Sequence, residues 1–165
     1  ETDHWISHGF LRYWQQFGGL PVFGYPISDE FQENGVTVQY FERARFEWHP
    51  GAWPSRYDVL LGLLGNELTV NRRAEAPFKP VQATSDANCT FYPATGHRLC
   101  FGFRAFWQAN GGLAIYGYPI SEEFQENGYT VQYFERQRLE YHPENPPAWQ
   151  VEGGLLGSQV LATHR

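Results

Sequence analysis

The sequence is poor in the features that mark several common classes of protein. It contains no methionine and two cysteines, and its 12 basic residues do not cluster among 18 acidic ones. Nucleic-acid-binding domains carry a basic patch, so this distribution and the net charge of −6 argue against a nucleic-acid partner. No apolar run approaches the length of about 20 residues that a membrane-spanning helix needs. Because catalytic motifs and metal-ligand spacings are also missing, we predict a protein that is not an enzyme and needs no metal or cofactor.

What the sequence does contain is a close internal repeat. The motif Gly-Tyr-Pro-Ile-Ser begins at Gly24 and recurs 93 residues later at Gly117. Between Trp14–Pro50 and Trp107–Pro143, 27 of 37 positions are identical. Such a repeat determines the organisation of a chain before any single motif does. The predicted organisation is repeat 1 at residues 1–71, a surface linker at 72–90 and repeat 2 at 91–165.

Each repeat opens with the pattern of an amphipathic helix. Apolar residues recur at spacings of three and four, which places them on one helical face. In repeat 1 these are Phe10, Tyr13, Trp14 and Phe17, and in repeat 2 they are Phe103, Phe106 and Trp107. Thr2 or Asp3 suits the N-cap. Gly18 and Gly19 are expected to end the first helix, because glycine readily takes the left-handed cap conformation.

A connector and a hairpin are predicted to follow. Residues 20–23 are too few for a helix, and Ser28 is expected to cap one helical turn through Phe31. Asn34-Gly35 and Asn127-Gly128 signal turns. Residues 37–41 and 45–48 are rich in β-formers and predict a hairpin with a loop of three to five residues. The Leu-Leu-Gly segments that end at Gly65 and Gly157 predict a strand followed by a short helix.

Cys89 and Cys100 lie 11 residues apart. A disulfide that orders the loop opened by Cys89–Pro93 is one interpretation, and two buried free thiols are the alternative. A disulfide would imply an oxidising, extracellular setting. The chain starts at Glu1 without an apolar leader. This start fits a mature secreted protein whose signal peptide has been removed, and equally an arbitrary boundary.

Aromatic and arginine side chains near the loops are the candidate ligand contacts. Aromatic faces stack on the apolar surface of sugar rings, and arginine can hold a carboxylate with two hydrogen bonds. The candidates are Tyr25, Arg43, Trp48, Trp53, Tyr118, Arg136, Tyr141 and Trp149. The alternative is that the aromatic residues pack in the core or between the repeats, and that the charges around each hairpin form cross-strand ion pairs on a solvated face.

Acids and histidines occur in groups that suggest chemistry only weakly. Asp29-Glu30 and Glu122-Glu123 are adjacent in sequence, whereas a glycosidase needs two carboxylates separated across a cleft. We expect these acids to stabilise a helix N-terminus instead. The six histidines are scattered. Structural hydrogen bonds are therefore expected of them rather than a zinc site, which needs convergent ligands.

The fixed glycine, proline and aromatic positions resemble the LGFP repeats of secreted and cell-envelope bacterial proteins, of the kind found in Chloroflexi. In repeat 1 the resemblance rests on Trp14, Gly18-Gly19, Gly24-Tyr25-Pro26, Gly35 and Phe46-Glu47-Trp48. It covers about residues 8–65 and 101–157. The resemblance implies attachment to envelope glycans. The chain has Phe-Gly-Tyr-Pro or Tyr-Gly-Tyr-Pro where that family has Leu-Gly-x-Pro.

Together these patterns predict an α+β protein made of two tandem repeats. Each repeat would hold a helix, a short turn, a β-hairpin and a closing strand or short helix, packed with pseudo-symmetry. The leading hypothesis is a non-catalytic, secreted module that binds cell-envelope or extracellular polysaccharide. The alternatives are a self-assembling extracellular structural protein and an accessory protein-binding domain.

Overall fold

A computed structural model describes residues 3–164, and it confirms the α+β class and the two similar halves. The first copy of the repeat contains three helices and four strands in chain order. They are α1 (His8–Phe17), α2 (Gly19–Phe23), β1 (Phe31–Glu33), β2 (Val36–Tyr40), β3 (Arg45–Trp48), β4 (Val59–Leu61) and α3 (Leu64–Thr69). The four strands form an antiparallel sheet in the order β1-β2-β3-β4.

The second copy repeats this layout and adds a hairpin at its start. Its elements are β5 (Cys89–Tyr92), β6 (His97–Cys100), α4 (Phe101–Ala109), α5 (Gly112–Tyr116), β7 (Phe124–Glu126), β8 (Tyr129–Tyr133), β9 (Arg138–Tyr141), β10 (Val151–Gly153) and α6 (Leu156–Ala162). The sheet order β10-β9-β8-β7 is the same antiparallel arrangement. No helix within residues 3–164 is long and apolar enough to cross a membrane.

The chain divides into two compact units whose boundaries do not follow the sequence copies. Unit 1 contains the first copy up to Leu64 together with the closing segment from Leu155 onwards. Unit 2 runs continuously from Gly65 to Gly154. The closing helix of each copy is therefore grouped with the sheet of the other copy, so the two copies exchange their last helices.

In unit 1, α6 is fixed by close backbone contact with the loop between β2 and β3. The Ser158 N–H donates to the Glu42 carbonyl oxygen at 3.1 Å. Gly157 lies against the Phe41 carbonyl oxygen so closely that a Cβ atom would overlap it. After the helix, His164 Nε2 lies 2.8 Å from Glu33 Oε2.

Unit 2 makes the matching contacts with the segment that follows β4. The Asn66 N–H donates to the Glu135 carbonyl oxygen at 3.2 Å. A Cβ atom at Gly65 would overlap the Phe134 carbonyl oxygen. Arg72, at the position that corresponds to His164, places Nη2 2.7 Å from Glu126 Oε2. Glycine is required at both crossings because the backbones approach too closely for any side chain.

The predicted hairpins and closing segments are confirmed, and four local predictions are wrong. Helix α1 begins at His8 after the N-cap Ser7, so Asp3 is not its cap, and Thr2 lies outside the described residues. Residues 20–23, predicted too short for a helix, belong to the single-turn helix α2. Ser28 caps no helical turn, since its hydroxyl accepts the Tyr40 N–H at 3.0 Å. Phe31 instead begins a strand, and Asn34-Gly35 joins it to β2.

The turn that joins β1 to β2 is explained by the backbone conformation of its two residues. Asn34 and Gly35 both adopt positive φ, at 52° and 80°. Two positive φ values in a two-residue loop are what a type I′ hairpin turn requires. The turn signal in the sequence therefore marked a second hairpin rather than the end of a helical turn.

The fourth correction concerns the segment that begins at Cys89. The predicted disulfide with Cys100 is confirmed. The segment itself is a regular strand rather than an irregular loop, and the two cysteines face each other across β5 and β6. Within the stretch predicted as a linker, Phe78 is buried and packs in one cluster with Tyr133.

The core of unit 1 is built from aromatic rings around β3. Phe46 is fully buried, and its ring lies 4.2 Å from that of Phe41 and 4.8 Å from that of Phe23. Phe10 and Tyr13 of α1 pack edge-on against the same ring. The helical stripe predicted from the sequence thus covers one face of the sheet.

Candidate functional site

A groove opens at the same place in each unit. It lies where α1 begins beside the central hairpin β2–β3 in unit 1, and where α4 begins beside the central hairpin β8–β9 in unit 2. In unit 1 its volume is about 260 Å³, and in unit 2 it is about 560 Å³. Six pairs of equivalent residues line both grooves, and the four that contribute an aromatic ring, a hydroxyl or a carboxylate in both units matter most for binding. These four are Phe10 and Phe103, Glu30 and Glu123, Thr37 and Thr130, and Trp48 and Tyr141.

The aromatic wall of each groove follows from strand alternation. Trp48 lies two residues beyond Phe46 on β3, so both side chains point to the helix-covered face. Phe46 is buried under α1, whereas Trp48 lies at the end of the strand and remains 47% exposed. Tyr141 occupies the equivalent position at the end of β9 and is 39% exposed. An exposed aromatic ring that is held in place by its strand is therefore present in both units.

Each aromatic ring has a hydroxyl beside it. Thr37 is paired directly with Trp48 in the β2–β3 register, and Thr130 is paired with Tyr141 in the β8–β9 register. Side chains that are paired in this way lie about 5 Å apart on one face of the sheet. The strands thus hold an aromatic surface and a hydrogen-bonding group at a fixed separation.

Each groove also contains one carboxylate, contributed by the segment before β1 or β7. In unit 2, partial burial and the neighbouring charge of Glu122 raise the pKa of Glu123 above its usual range. Glu122 itself points elsewhere, because it binds His97 Nδ1 at 2.9 Å and Arg98 Nε at 2.7 Å. The adjacent acids in the sequence therefore have different environments, and one of each pair reaches the groove.

The groove of unit 2 is the larger and the more aromatic of the two. Phe101 replaces His8 at the start of the helix, and Phe106 adds a second ring. The segment before β10 contributes Pro147, Ala148 and Gln150 to the lining. Because most of this lining is apolar, a ligand of the unit 2 groove would bind through hydrophobic contact as well as hydrogen bonds.

The structure brings two of the eight predicted contact residues into the grooves, namely Trp48 and Tyr141. Trp149 is exposed in the short 3-10 turn that begins at Pro147, next to the unit 2 groove. Trp53 is half-buried, and the Arg56 guanidinium lies 4.7 Å from the centre of its ring.

The remaining four predicted residues lie in the connector and in the hairpin loop, outside both grooves. The backbone N–H groups of Tyr25 and Tyr118 donate to the carboxylates of Glu42 and Glu135. The Arg43 and Arg136 N–H groups donate to carbonyl oxygens of α2 and α5. Glu42 and Glu135 thus act as internal hydrogen-bond acceptors that hold each connector to its hairpin.

The charges on the hairpins form ion pairs, as the alternative interpretation of the sequence predicts, but these pairs lie along one strand with buried arginines rather than across strands on a solvated face. Arg45 Nη2 lies 2.7 Å from Glu47 Oε2, and Arg138 Nη2 lies 2.7 Å from Glu140 Oε2. Both arginines are buried. Each pair links residues i and i+2 of a single strand. These four charged residues therefore support the sheet, and none of them lines a groove.

Sequence reasoning missed the groove residues that are not aromatic. Thr37 and Thr130 were seen only as strand formers, and Glu30 and Glu123 only as helix-terminal charges. Their common signal is that each is identical in the two copies although none is buried. Comparison with models of protein families and with curated proteins finds no match for this chain.

Proposed function

We propose that the protein is a non-catalytic, extracellular module that binds cell-envelope or other polysaccharide through its two grooves. The observation that carries this proposal is the repeated pairing of an exposed aromatic ring with a hydroxyl and a carboxylate. The ring offers a flat apolar face for a sugar, and the polar groups offer hydrogen bonds to its hydroxyls. The disulfide between Cys89 and Cys100 is consistent with an oxidising, extracellular location.

The carboxylates favour binding over hydrolysis. A glycosidase uses two carboxylates placed about 5–9.5 Å apart across the scissile bond. The lining of each groove includes one carboxylate, Glu30 or Glu123. A single acid beside an aromatic ring suits recognition of sugar hydroxyls.

The proposal predicts that both grooves contribute to retention on a glycan. We expect Trp48→Ala and Tyr141→Ala each to weaken binding to insoluble cell-wall glycan. The affinity of the double variant should fall at least tenfold, which is about 1.4 kcal/mol of binding free energy. Trp5→Ala is the matched control, because Trp5 is 85% exposed and lines neither groove. Retention is measured by pull-down over a range of protein concentrations. Equal retention of the double variant and the unmodified protein would exclude the grooves as the binding sites.

The exchanged closing helices favour a second candidate function, which is self-assembly into an extracellular structure. A chain whose last helix completes its first unit can give that helix to another chain through the same contacts. Light scattering on purified protein distinguishes the two candidates. A species that stays monomeric at high concentration would exclude assembly and leave glycan binding untouched.

A further inference from the structure

Three potential metal ligands converge where β9 ends and β10 begins, and none of the three lines a groove. They are Glu140, His142 and Glu152, and one ligand atom from each lies within 4.8 Å of the others. His142 Nε2 is 2.8 Å from Glu140 Oε1 and 3.3 Å from Glu152 Oε1. The antiparallel register explains the convergence, since Glu152 is paired directly with Glu140 across the two strands. All three side chains are half-buried.

These separations match those around a small tetrahedral cation. Zinc binds histidine nitrogen at about 2.0–2.1 Å and carboxylate oxygen at about 2.0–2.2 Å, so neighbouring ligand atoms are about 3.3 Å apart. The distance from His142 to Glu152 equals this value, and the distance from His142 to Glu140 is shorter because the two side chains are hydrogen-bonded. The ligand atoms of the two glutamates lie within 4.8 Å of each other. Side-chain movement and loss of that hydrogen bond would bring all three atoms around an ion. One coordination position would remain for water.

The outer contacts of the three residues resemble those that orient metal ligands. A ligating histidine usually makes a hydrogen bond through its other ring nitrogen to a carboxylate, which fixes the direction of the ring. Here His142 Nδ1 lies 3.2 Å from Glu144 Oε2. The Tyr129 hydroxyl donates to the same oxygen at 2.7 Å, and its ring packs on the imidazole with centres 4.0 Å apart. Arg138 holds the other oxygen of Glu140.

The first copy provides an internal comparison, because it keeps only half of this arrangement. Glu47 and His49 repeat the pair at 2.9 Å, and Arg45 repeats the outer contact. Leu60, paired with Glu47 across β3 and β4, stands where the second copy has Glu152. At the positions of Glu144 and Tyr129 the first copy has glycine and valine. The second copy thus adds Glu152 as a third ligand. It also adds Glu144 and Tyr129, which hold the imidazole ring of His142 in place.

We propose that Glu140, His142 and Glu152 form a binding site for a divalent transition-metal ion, with zinc as the representative ion. One imidazole nitrogen and two carboxylate oxygens form a donor set that zinc accepts. Among residues 3–164, this group of three ligands occurs in the second copy. None of the three lines a groove, although Tyr141 between two of them does. Zinc binding and glycan retention are therefore measured separately.

Titration of the full chain with zinc chloride, followed by calorimetry, tests the proposal. We expect one equivalent to bind. Glu152→Leu, which places the residue of the first copy in the second, should weaken binding at least tenfold without disturbing the strand. His49→Gln is the matched control and should leave zinc binding unchanged, whereas His142→Gln should abolish it.

A reciprocal variant makes the test stricter. Leu60→Glu adds the missing third ligand beside Glu47 and His49, so we expect a second, weaker zinc site in the first copy. Zinc should bind more weakly at this site, because the carboxylate and the tyrosine that orient His142 have no counterparts in the first copy. The proposal fails if the unmodified chain does not bind zinc, or if Glu152→Leu binds it as tightly as the unmodified chain.

Discussion

A single substitution in α6 should destabilise the sheet β1–β4, although the two elements are far apart in the sequence. Leu156 begins α6, is fully buried and belongs to unit 1. Leu156→Ala removes three buried carbon atoms, worth about 2.4 kcal/mol at ~0.8 kcal/mol each, and leaves a cavity that adds to the loss. We therefore expect the free energy of unfolding of unit 1 to fall by about 3–4 kcal/mol.

Hydrogen–deuterium exchange with mass spectrometry can locate this loss. Each 1.4 kcal/mol raises the open population about tenfold, so exchange from β2, β3 and β4 should accelerate by more than a hundredfold. Leu155→Ala is the matched control, because the neighbouring Leu155 is 45% exposed and should change exchange little. Peptides from β8 and β9 serve as the reference within the same experiment.

The location of the loss decides whether the closing helices are exchanged. Lost protection confined to β8 and β9, with β2 and β3 unchanged, would mean that α6 covers its own copy. The description of unit 1 would then be wrong. Lost protection in unit 1 without a matching loss in unit 2 is the result that the contacts of Ser158 and His164 predict.

Two further predictions concern unit 2. Burial alone would raise the pKa of Glu122, but its hydrogen bonds with His97 and Arg98 lower the pKa below the ordinary value of 4.5. The stabilisation is therefore fully present above about pH 4.5 and is lost as pH falls through the lower folded pKa. Glu122→Gln should lower the denaturation midpoint at pH 7 and have a smaller effect at pH 3. Asp29→Asn is the matched control, because that exposed acid should change neither midpoint, and an equal effect of the two variants would contradict the reasoning. Reduction of Cys89–Cys100, which are 11 residues apart, should cost about 2.8 kcal/mol of unfolding free energy by loop-closure entropy, and an unchanged urea midpoint in reductant would refute this.

Much of the fold could be predicted because its signals are local. The spacing of Phe10, Tyr13 and Phe17 depends only on helical periodicity, and the strand-forming runs of the central hairpin depend only on alternation. The single-turn helix α2 and the three-residue strand β1 could not be found this way. Elements of that length carry too few residues to show a period, and their tertiary contacts determine their conformation.

The exchange of closing helices could not be predicted from patterns of this kind. The Leu-Leu-Gly segments at Gly65 and Gly157 have the same local sequence, so each suits either sheet. Which sheet a helix joins depends on the direction in which the chain leaves β4 or β10. Composition and periodicity contain no information on that direction, whereas the close approach of each glycine to a carbonyl oxygen records it.

The residues of the candidate sites also differ in whether local sequence is enough to predict them. Trp48 and Tyr141 could be proposed from their residue type and their place near loops. The spacing of Glu140 and His142 already puts them on one face of a strand. Glu152 joins them only through the register of β10 against β9, which a sequence of three strand residues does not determine. For this reason the sequence alone does not predict the proposed metal site.

The continuity of unit 2 has a consequence for synthesis. A ribosome makes the chain from its first residue, and domains ordinarily fold in the order in which they emerge. Unit 2 is complete once Gly154 has appeared, whereas unit 1 still lacks Leu155 and the helix that follows. Of the two units, the one whose synthesis begins first therefore finishes folding last. A chain that stopped before Leu155 would retain one complete unit and one uncovered sheet.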